Sequence, residues 1–200
     1  MNEIKSRRQD KRKNARKRHK MTECIIDTKR LKLRLLNGND IDDLLLLFGD
    51  PIAMKYFPSV KDYKGTEEWL NENLTNYKMY GHCLFAVEKK DDKKFIGYCG
   101  FIPQKDVNGK DEIEIGYGLI RTYWHKGFAT EAAIACKKYG FENMKCSRLI
   151  SLIRPENKAS INVAIRNGMQ WEMDFVRWDL LHGIYAIEKP LINNNLRDNK

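Results

Sequence analysis

No stretch of this 200-residue sequence is apolar enough to cross a membrane as a helix. The longest unbroken run, Leu44-Leu45-Leu46-Leu47-Phe48, falls far short of the ~20 residues a span requires. Cysteine is sparse, five residues at positions 24, 83, 99, 136 and 146, with no C-x-x-C spacing and no signal-like apolar segment near the start. That pattern excludes a disulfide-stapled secreted scaffold and points to reduced thiols in a cytoplasm. The four histidines, at 19, 82, 125 and 182, lack the i, i+4 spacing of a zinc site, so no metal is expected. There is no Gly-x-Gly-x-x-Gly and no strict strand-helix alternation, which argues against a doubly wound dinucleotide fold. Neither internal repeats nor low-complexity tracts occur outside the two ends.

The net charge of +10 suggests a nucleic-acid binder until it is divided along the chain. Residues 1–20 hold ten of the 37 basic residues against Glu3 and Asp10 alone, and the remaining 180 are close to neutral. A basic body is therefore excluded, and overall charge says little about function. The head has one aliphatic residue beyond its initiator, Ile4, too little apolar surface to offset the entropy of ordering, so disorder is expected there. Two readings of it stay open: an arm that contacts RNA or ribosome through phosphates, or the product of an upstream start, with the domain opening at Met21. The expected organisation is a basic extension over 1–20, one domain over 21–190 and a polar tail over 191–200.

Within the domain, Leu31, Leu33 and Leu35 alternate with charged residues and predict a strand. Asn37-Gly38-Asn39-Asp40 supplies turn and cap chemistry before a helix over 41–48, and a second helix is expected to start at Thr66 with its hydroxyl as the cap. Strands follow over 82–88, 95–102 and 112–120, the last two separated by a polar stretch holding Asn108-Gly109, either a tight hairpin or a longer loop. Then come a helix over 127–141, a strand over 149–154, a helix over 159–167 stopped by Gly168, and a closing hairpin. This order gives an α/β (α+β) domain: a mixed, mostly antiparallel sheet of about six to seven strands flanked by about four helices. Cys83, Cys99 and Cys136 read as small core residues, and Trp69, Trp171 and Trp178 as core or pocket wall.

Two places carry chemistry. In Glu112-Ile113-Glu114-Ile115-Gly116-Tyr117-Gly118-Leu119, alternation sets Glu112, Glu114, Gly116 and Gly118 on one face. A carboxylate beside two residues without side chains marks either a groove for a ligand or a bulge with a solvent-facing Glu. Downstream, Trp124-His125-Lys126-Gly127-Phe128-Ala129-Thr130 opens a helix with small residues at 127 and 129. Its unobstructed amides and dipole suit a phosphate or pyrophosphate, with His125 and Lys126 nearby.

Together with Arg154-Pro155-Glu156-Asn157-Lys158-Ala159-Ser160 and Arg166-Asn167-Gly168-Met169, these segments resemble the GNAT superfamily of N-acetyltransferases. The likeness spans about residues 27–188. Within the superfamily the pattern is similar to the RimJ/RimL branch, which acetylates ribosomal-protein N-termini; the opening Thr28-Lys29-Arg30-Leu31-Lys32-Leu33-Arg34, the middle strand Phe95-Ile96-Gly97-Tyr98-Cys99-Gly100 and the pair Tyr123-Trp124 carry that likeness. The resemblance implies acetyl-CoA as donor, its pyrophosphate on His125, Lys126, Gly127, Phe128, Ala129 and Thr130. Its pantetheine arm would lie along the backbone of Tyr117, Gly118 and Leu119, with a hydrogen bond from Asn157. It further implies Glu114 as the base, acting directly or through a water, and a backbone N–H near Tyr117 or Gly118 as oxyanion donor. One position departs from the family: the usual acidic Tyr is Ala164, and the RimL-like pattern offers Ser160 instead, which reads equally well as a helix cap.

The implied activity is transfer of an acetyl group to a primary amine, foremost a protein N-terminal α-amine, with a polyamine, aminoglycoside or other small amine as the alternative. A reading from another class is an RNA- or ribosome-binding module acting through the basic head. Acceptor choice is expected in the helical segment around 48–80 and in a loop over 103–111.

Overall fold

The computed structural model describes residues 24–190. The expectations for the basic head over 1–20 and the tail over 191–200 lie outside the described residues.

The chain runs through β1 (Cys24–Asp27), β2 (Leu31–Leu35), α1 (Ile41–Phe48), α2 (Tyr63–Tyr80), β3 (Leu84–Lys89), β4 (Phe95–Val107) and β5 (Lys110–Leu119). It continues through α3 (Phe128–Glu142), β6 (Arg148–Ile153), α4 (Lys158–Arg166), β7 (Gln170–Arg177) and β8 (Leu180–Glu188). The strands form one sheet in the order β1-β2-β3-β4-β5-β6-β8-β7. Every neighbouring pair is antiparallel except β5 and β6. This is the mixed, mostly antiparallel sheet with helices on its faces that the element order predicts. The eighth strand is β1, where Ile26 alone is buried, so no alternation marks it in the sequence.

Period-two patterning builds the two layers. Leu31 and Leu33 point into the core on the α3/α4 side at 0% exposure, each worth roughly 1.5–3 kcal/mol over an exposed side chain. On the opposite face, Phe48 of α1 and Trp69 of α2 pack against Tyr98 of β4, with ring centroids 4.7 Å (Phe48–Trp69) and 5.2 Å (Trp69–Tyr98) apart. The buried Asn73 of α2 donates to the Leu84 carbonyl and accepts from the Leu84 amide, both at 2.9 Å, which fixes α2 against β3. Among the described residues no helix is long and apolar enough to cross a membrane.

Two local expectations are corrected. Helix α2 begins at Tyr63, not Thr66: Asp62 is the cap, its Oδ1 accepting from the Gly65 amide at 2.8 Å. Thr66 lies within the first turn at 0% exposure, and its hydroxyl donates back to the Asp62 carbonyl at 2.8 Å. The stretch 103–111 is not a loop. β4 and β5 pair to Gln104 opposite Glu112 and, past a bulge, again at Val107 opposite Lys110, joined by Asn108-Gly109 with φ of 50° and 80°, the left-handed pair that a two-residue hairpin turn requires.

Candidate active site

β5 and β6 lie side by side in parallel, yet their register holds one pair, Glu114 with Ile150. One step on, the Ser151 hydroxyl donates to the Ile115 carbonyl at 2.8 Å, so a side chain stands where ladder bonds would continue. Because main-chain groups alternate along a strand, that bond also turns the N–H and C=O of Tyr117 and Leu119 toward β6. Beyond Ile115 the strands splay, and the Tyr117 hydroxyl spans the opening to the Ser160 carbonyl at 2.8 Å. A cavity of about 770 Å³ occupies this region, between the sheet and the chain around α1 and α2. It brings together Glu114, Tyr117, Asn157 and Ser160. Gly118, Leu119 and the turn 125–130 lie outside it, toward the end of β5.

Glu114 is 8% exposed, not solvent-facing. Gln104 Nε2 donates to its Oε2 at 2.5 Å, and the Leu152 amide to its Oε1 at 3.1 Å. Burial pushes the carboxyl up to about 7, even though those two donors and the charge of Arg177 pull it down. Such a group changes protonation at the pH where a general base works best. The glycines beside it do not leave an open groove. A Cβ at Gly118 would sit 2.7 Å from Tyr98 Cζ, and one at Gly116 2.6 Å from Ile102 Cδ1. The strand is bare there because side chains of β4 lie across it.

The turn has the shape its composition suggests. His125 (φ 60°) and Gly127 (φ 76°) are both left-handed, a non-glycine residue held there at some cost, and Gly127 is the N-cap of α3, with no side-chain cap bond. Its first amides are thus left to an anion. Phe128 faces the core at 6% exposure and contributes only main chain to the turn. Lys126 folds back, its Nζ donating to the Thr122 carbonyl at 2.8 Å. Gly127 and Thr130 also border a second, shallower depression of about 650 Å³ with Asp27, Lys138 and Arg166.

Four bracing contacts carry no signal in the sequence. Trp124 Nε1 donates to the Leu119 carbonyl at 2.7 Å, tying the turn to the end of β5. Arg30 donates to the Lys126 carbonyl at 3.0 Å and pairs with Glu131 at 2.6 Å, with its guanidinium 4.4 Å from the Phe128 ring centroid. Burial raises the Glu131 carboxyl, but the Thr28 hydroxyl, the Arg30 amide and the Arg30 guanidinium outweigh it and hold the group below its ordinary value. Arg30 and Glu131 stand 101 positions apart, and no local pattern pairs them.

Asn157 is the N-cap of α4, its Oδ1 accepting from the Ser160 amide at 3.1 Å, which leaves its Nδ2 as a donor at the cavity wall. Ser160 is therefore not the cap, and its hydroxyl makes no bond among the described residues. Ala164 is packed in the core at 1% exposure. The Cys99 and Cys136 sulfurs lie 3.6 Å apart, free and buried in the core. Trp171 is exposed and lines neither of these cavities, contrary to expectation, whereas Trp178, also exposed, lines the larger one as the pocket-wall reading allows.

A splayed parallel pair, a buried carboxyl pushed up to about 7 and a helix start without a side-chain cap lie along one strand of this α/β fold. The chain matches the Acetyltransferase (GNAT) domain over residues 30–170 and belongs to that family. It is thus an N-acetyltransferase, with acetyl-CoA as donor. It is 40% identical over 159 residues to the uncharacterized protein YkkB of Bacillus subtilis (strain 168), covering 79% of this chain and 92% of that one. The acetyltransferase (GNAT family) from Bacillus anthracis superposes with a TM-score of 0.70 at 29% identity, over 82% of this chain and 97% of that one. RimL, a ribosomal L7/L12 alpha-N-protein acetyltransferase solved with coenzyme A, shares the fold at a TM-score of 0.70 and 19% identity, over 83% and 98%.

Proposed function

We propose that this enzyme acetylates the α-amine at a protein N-terminus, in the manner of the RimJ/RimL branch, with Glu114 as the proton acceptor. One observation carries the reading: a buried carboxyl, held near pH 7 by its surroundings, lines the cavity where β5 and β6 part. When bound, acetyl-CoA supplies a thioester whose carbonyl carbon takes the amine and whose sulfur leaves as the C–N bond forms.

The residues of the chain do the rest. An amine is mostly protonated at neutral pH, and Glu114, ionised above about 7, takes that proton directly or through a water. The Tyr117 N–H, turned toward the splay, is placed to donate to the developing oxyanion, whereas the Gly118 N–H alternates toward β4. The main chain of Tyr117 and Leu119, with Asn157 Nδ2, would hold the donor's arm, and the amides of Gly127, Phe128, Ala129 and Thr130 its pyrophosphate. The Ser160 hydroxyl would donate a hydrogen bond to the departing sulfur, which at the ordinary acidity of a thiol can leave as the thiolate, while the amine proton stays with Glu114.

The domain assigned to this activity is 21–190. A cytoplasmic site of action fits the described cysteines, all free. An RNA or ribosome contact through residues 1–20 would be a separate binding function, tested by the salt dependence of RNA binding with and without that segment.

Two measurements on the full chain test the reading. Acetyl-CoA at a hundred times its Kd should stabilise the fold by ~2.7 kcal/mol, with a much smaller effect from ADP. Release of CoA should depend on an added N-terminal peptide, and Glu114→Gln should lower kcat by about 100-fold or more while keeping the acetyl-CoA stabilisation. Wild-type turnover in that variant would remove Glu114 from its role.

A further inference from the structure

Three neighbouring strands deliver Arg154, His182 and Arg177 to one end of the sheet face that carries Glu114. Ile153 of β6 pairs with Gly183 of β8, so the next residue, Arg154, comes level with His182. His182 in turn faces Phe175 of β7, and Arg177 follows two residues on, on the same side. The alternation is anchored by Ile150, Ile184 and Phe175, which pack together on that face. All three polar side chains line the cavity that holds Glu114.

Each of the two guanidinium groups has a nitrogen that the described residues leave without a partner. Arg154 Nε and Arg177 Nε are buried without a hydrogen-bond partner among the described residues. For Arg154 the neighbouring carboxylate is that of Glu156, 3.8 Å away, beyond hydrogen-bond distance and itself 64% exposed. Arg177 is aimed by its own contacts: Nη1 donates to the Lys105 carbonyl at 2.9 Å, and the guanidinium lies 4.8 Å from the Trp178 ring centroid. Trp178 holds that place with φ of 52°, unusual for a bulky residue. His182 Nδ1 lies 2.9 Å from the Leu180 carbonyl, which can only accept, so Nδ1 carries the proton and Nε2 is left as an acceptor. Burial lowers the His182 pKa, and the charges of Arg154 and Arg177 lower it further, so the ring is neutral beside them at pH 7.

Burying guanidinium N–H groups without partners costs free energy. A carboxylate or phosphate would satisfy both at once, since either matches the planar donor fork of arginine. Arg154 and Arg177 share the cavity with Glu114, so an anion held there occupies the same chamber as the proton acceptor. We infer that the acceptor is an amine bearing its own anionic group, a carboxylate or phosphate within a few bonds of the nitrogen, held by Arg154 and Arg177. This rests on the reading of Glu114 as the proton acceptor and names the class of amine that reaches it. An amino acid, an aminoalkyl phosphate and an N-terminal residue followed by an acidic one all present that chemistry.

The test is CoA release by the full chain with matched amines: glycine against glycinamide, O-phosphoethanolamine against ethanolamine, and Ser-Glu amide against Ser-Gln amide. In at least one pair the anionic member should show a kcat/KM at least tenfold higher. Arg154→Gln and Arg177→Gln should collapse that ratio toward one through KM, while both variants keep their stabilisation by acetyl-CoA. The pair that shows the preference identifies the source of the anion. Neutral amines used equally well in all three pairs, or a preference that survives both substitutions, would overturn the inference and leave the acetyltransfer reading standing. Should no amine turn over, binding decides: with CoA present, calorimetric titration should show N-acetylglycine binding at concentrations at least tenfold below N-acetylglycinamide, and equal or absent binding also overturns it. Loss of stabilisation by acetyl-CoA in the wild type is a different result, the failure of the donor reading itself.

Discussion

Gln104 and Glu114 meet diagonally across the β4–β5 ladder, Nε2 to Oε2 at 2.5 Å, with Glu112 as the residue directly opposite Gln104. The amide donor favours the ionised carboxylate and opposes burial, which drives the carboxyl up to about 7. Gln104→Leu removes that opposition. The ascending limb of kcat/KM against pH should move to higher pH by roughly one unit, with most of the rate recovered at the alkaline end. An unmoved limb would show that Gln104 does not set the proton affinity of Glu114.

The same carboxyl links stability to pH. Its folded value lies above the ordinary 4.5, so the folded state holds the proton more tightly than the unfolded chain does. The contribution is fully present below about pH 4.5 and is lost as pH rises through about 7. Glutamine stays neutral throughout and suffers no such loss. Glu114→Gln should therefore gain stability relative to wild type between pH 5 and pH 8, approaching ~3 kcal/mol. Urea melts at the two pH values check the sign.

Glu131 takes no part in the proton transfer proposed for Glu114, yet it holds the loop that starts α3. Glu131→Ala removes its bonds to the Thr28 hydroxyl, the Arg30 amide and the Arg30 guanidinium. With the Arg30 side chain 43% exposed, solvent screening limits the stability loss to about 1 kcal/mol. The larger effect should fall on the donor: CoA affinity drops by about fivefold, equivalent to ~1 kcal/mol, with the pH profile of turnover unchanged. Calorimetric titration of CoA measures the first and steady-state kinetics the second.

Gly118 is predicted to reject even a methyl group. In Gly118→Ala the new carbon would stand 2.7 Å from Tyr98 Cζ, where the ring is wedged against Phe48 and Trp69. Overpacking of this kind costs roughly 1–3 kcal/mol. Adding Tyr98→Ala removes the obstacle along with the packing it provides, so the double variant should lie above the sum of the singles in a double-mutant cycle.

How far the sequence reached depended on how local each signal is. Leu31, Leu33 and Leu35 alternate within five residues, and the expected strand matches β2; the expected helix over 41–48 matches α1. β1 buries Ile26 alone and left no pattern, and the Asp62 cap lay hidden because Thr66 offered a more obvious one. The face shared by Glu114, Gly116 and Gly118 was legible from alternation. What covers those glycines was not, since Tyr98 and Ile102 arrive from another strand. The same holds for Gln104 on Glu114, Arg30 on Glu131, and the alignment of Arg154, His182 and Arg177: each depends on strand register or tertiary packing between segments distant in the chain.

The single rung between Glu114 and Ile150 also has a mechanical meaning. Within the sheet it divides eight strands into a plate of five and a plate of three, joined along the seam by that rung, the Ser151–Ile115 and Leu152–Glu114 bonds and the Arg148–Glu112 pair. Closing the rest of the seam would add inter-strand bonds worth about 1 kcal/mol each, and the protein forgoes them. A ligand laid in the opening grips both plates at once. Binding there should stiffen a strand far from any atom it touches, β1 at the sheet's margin.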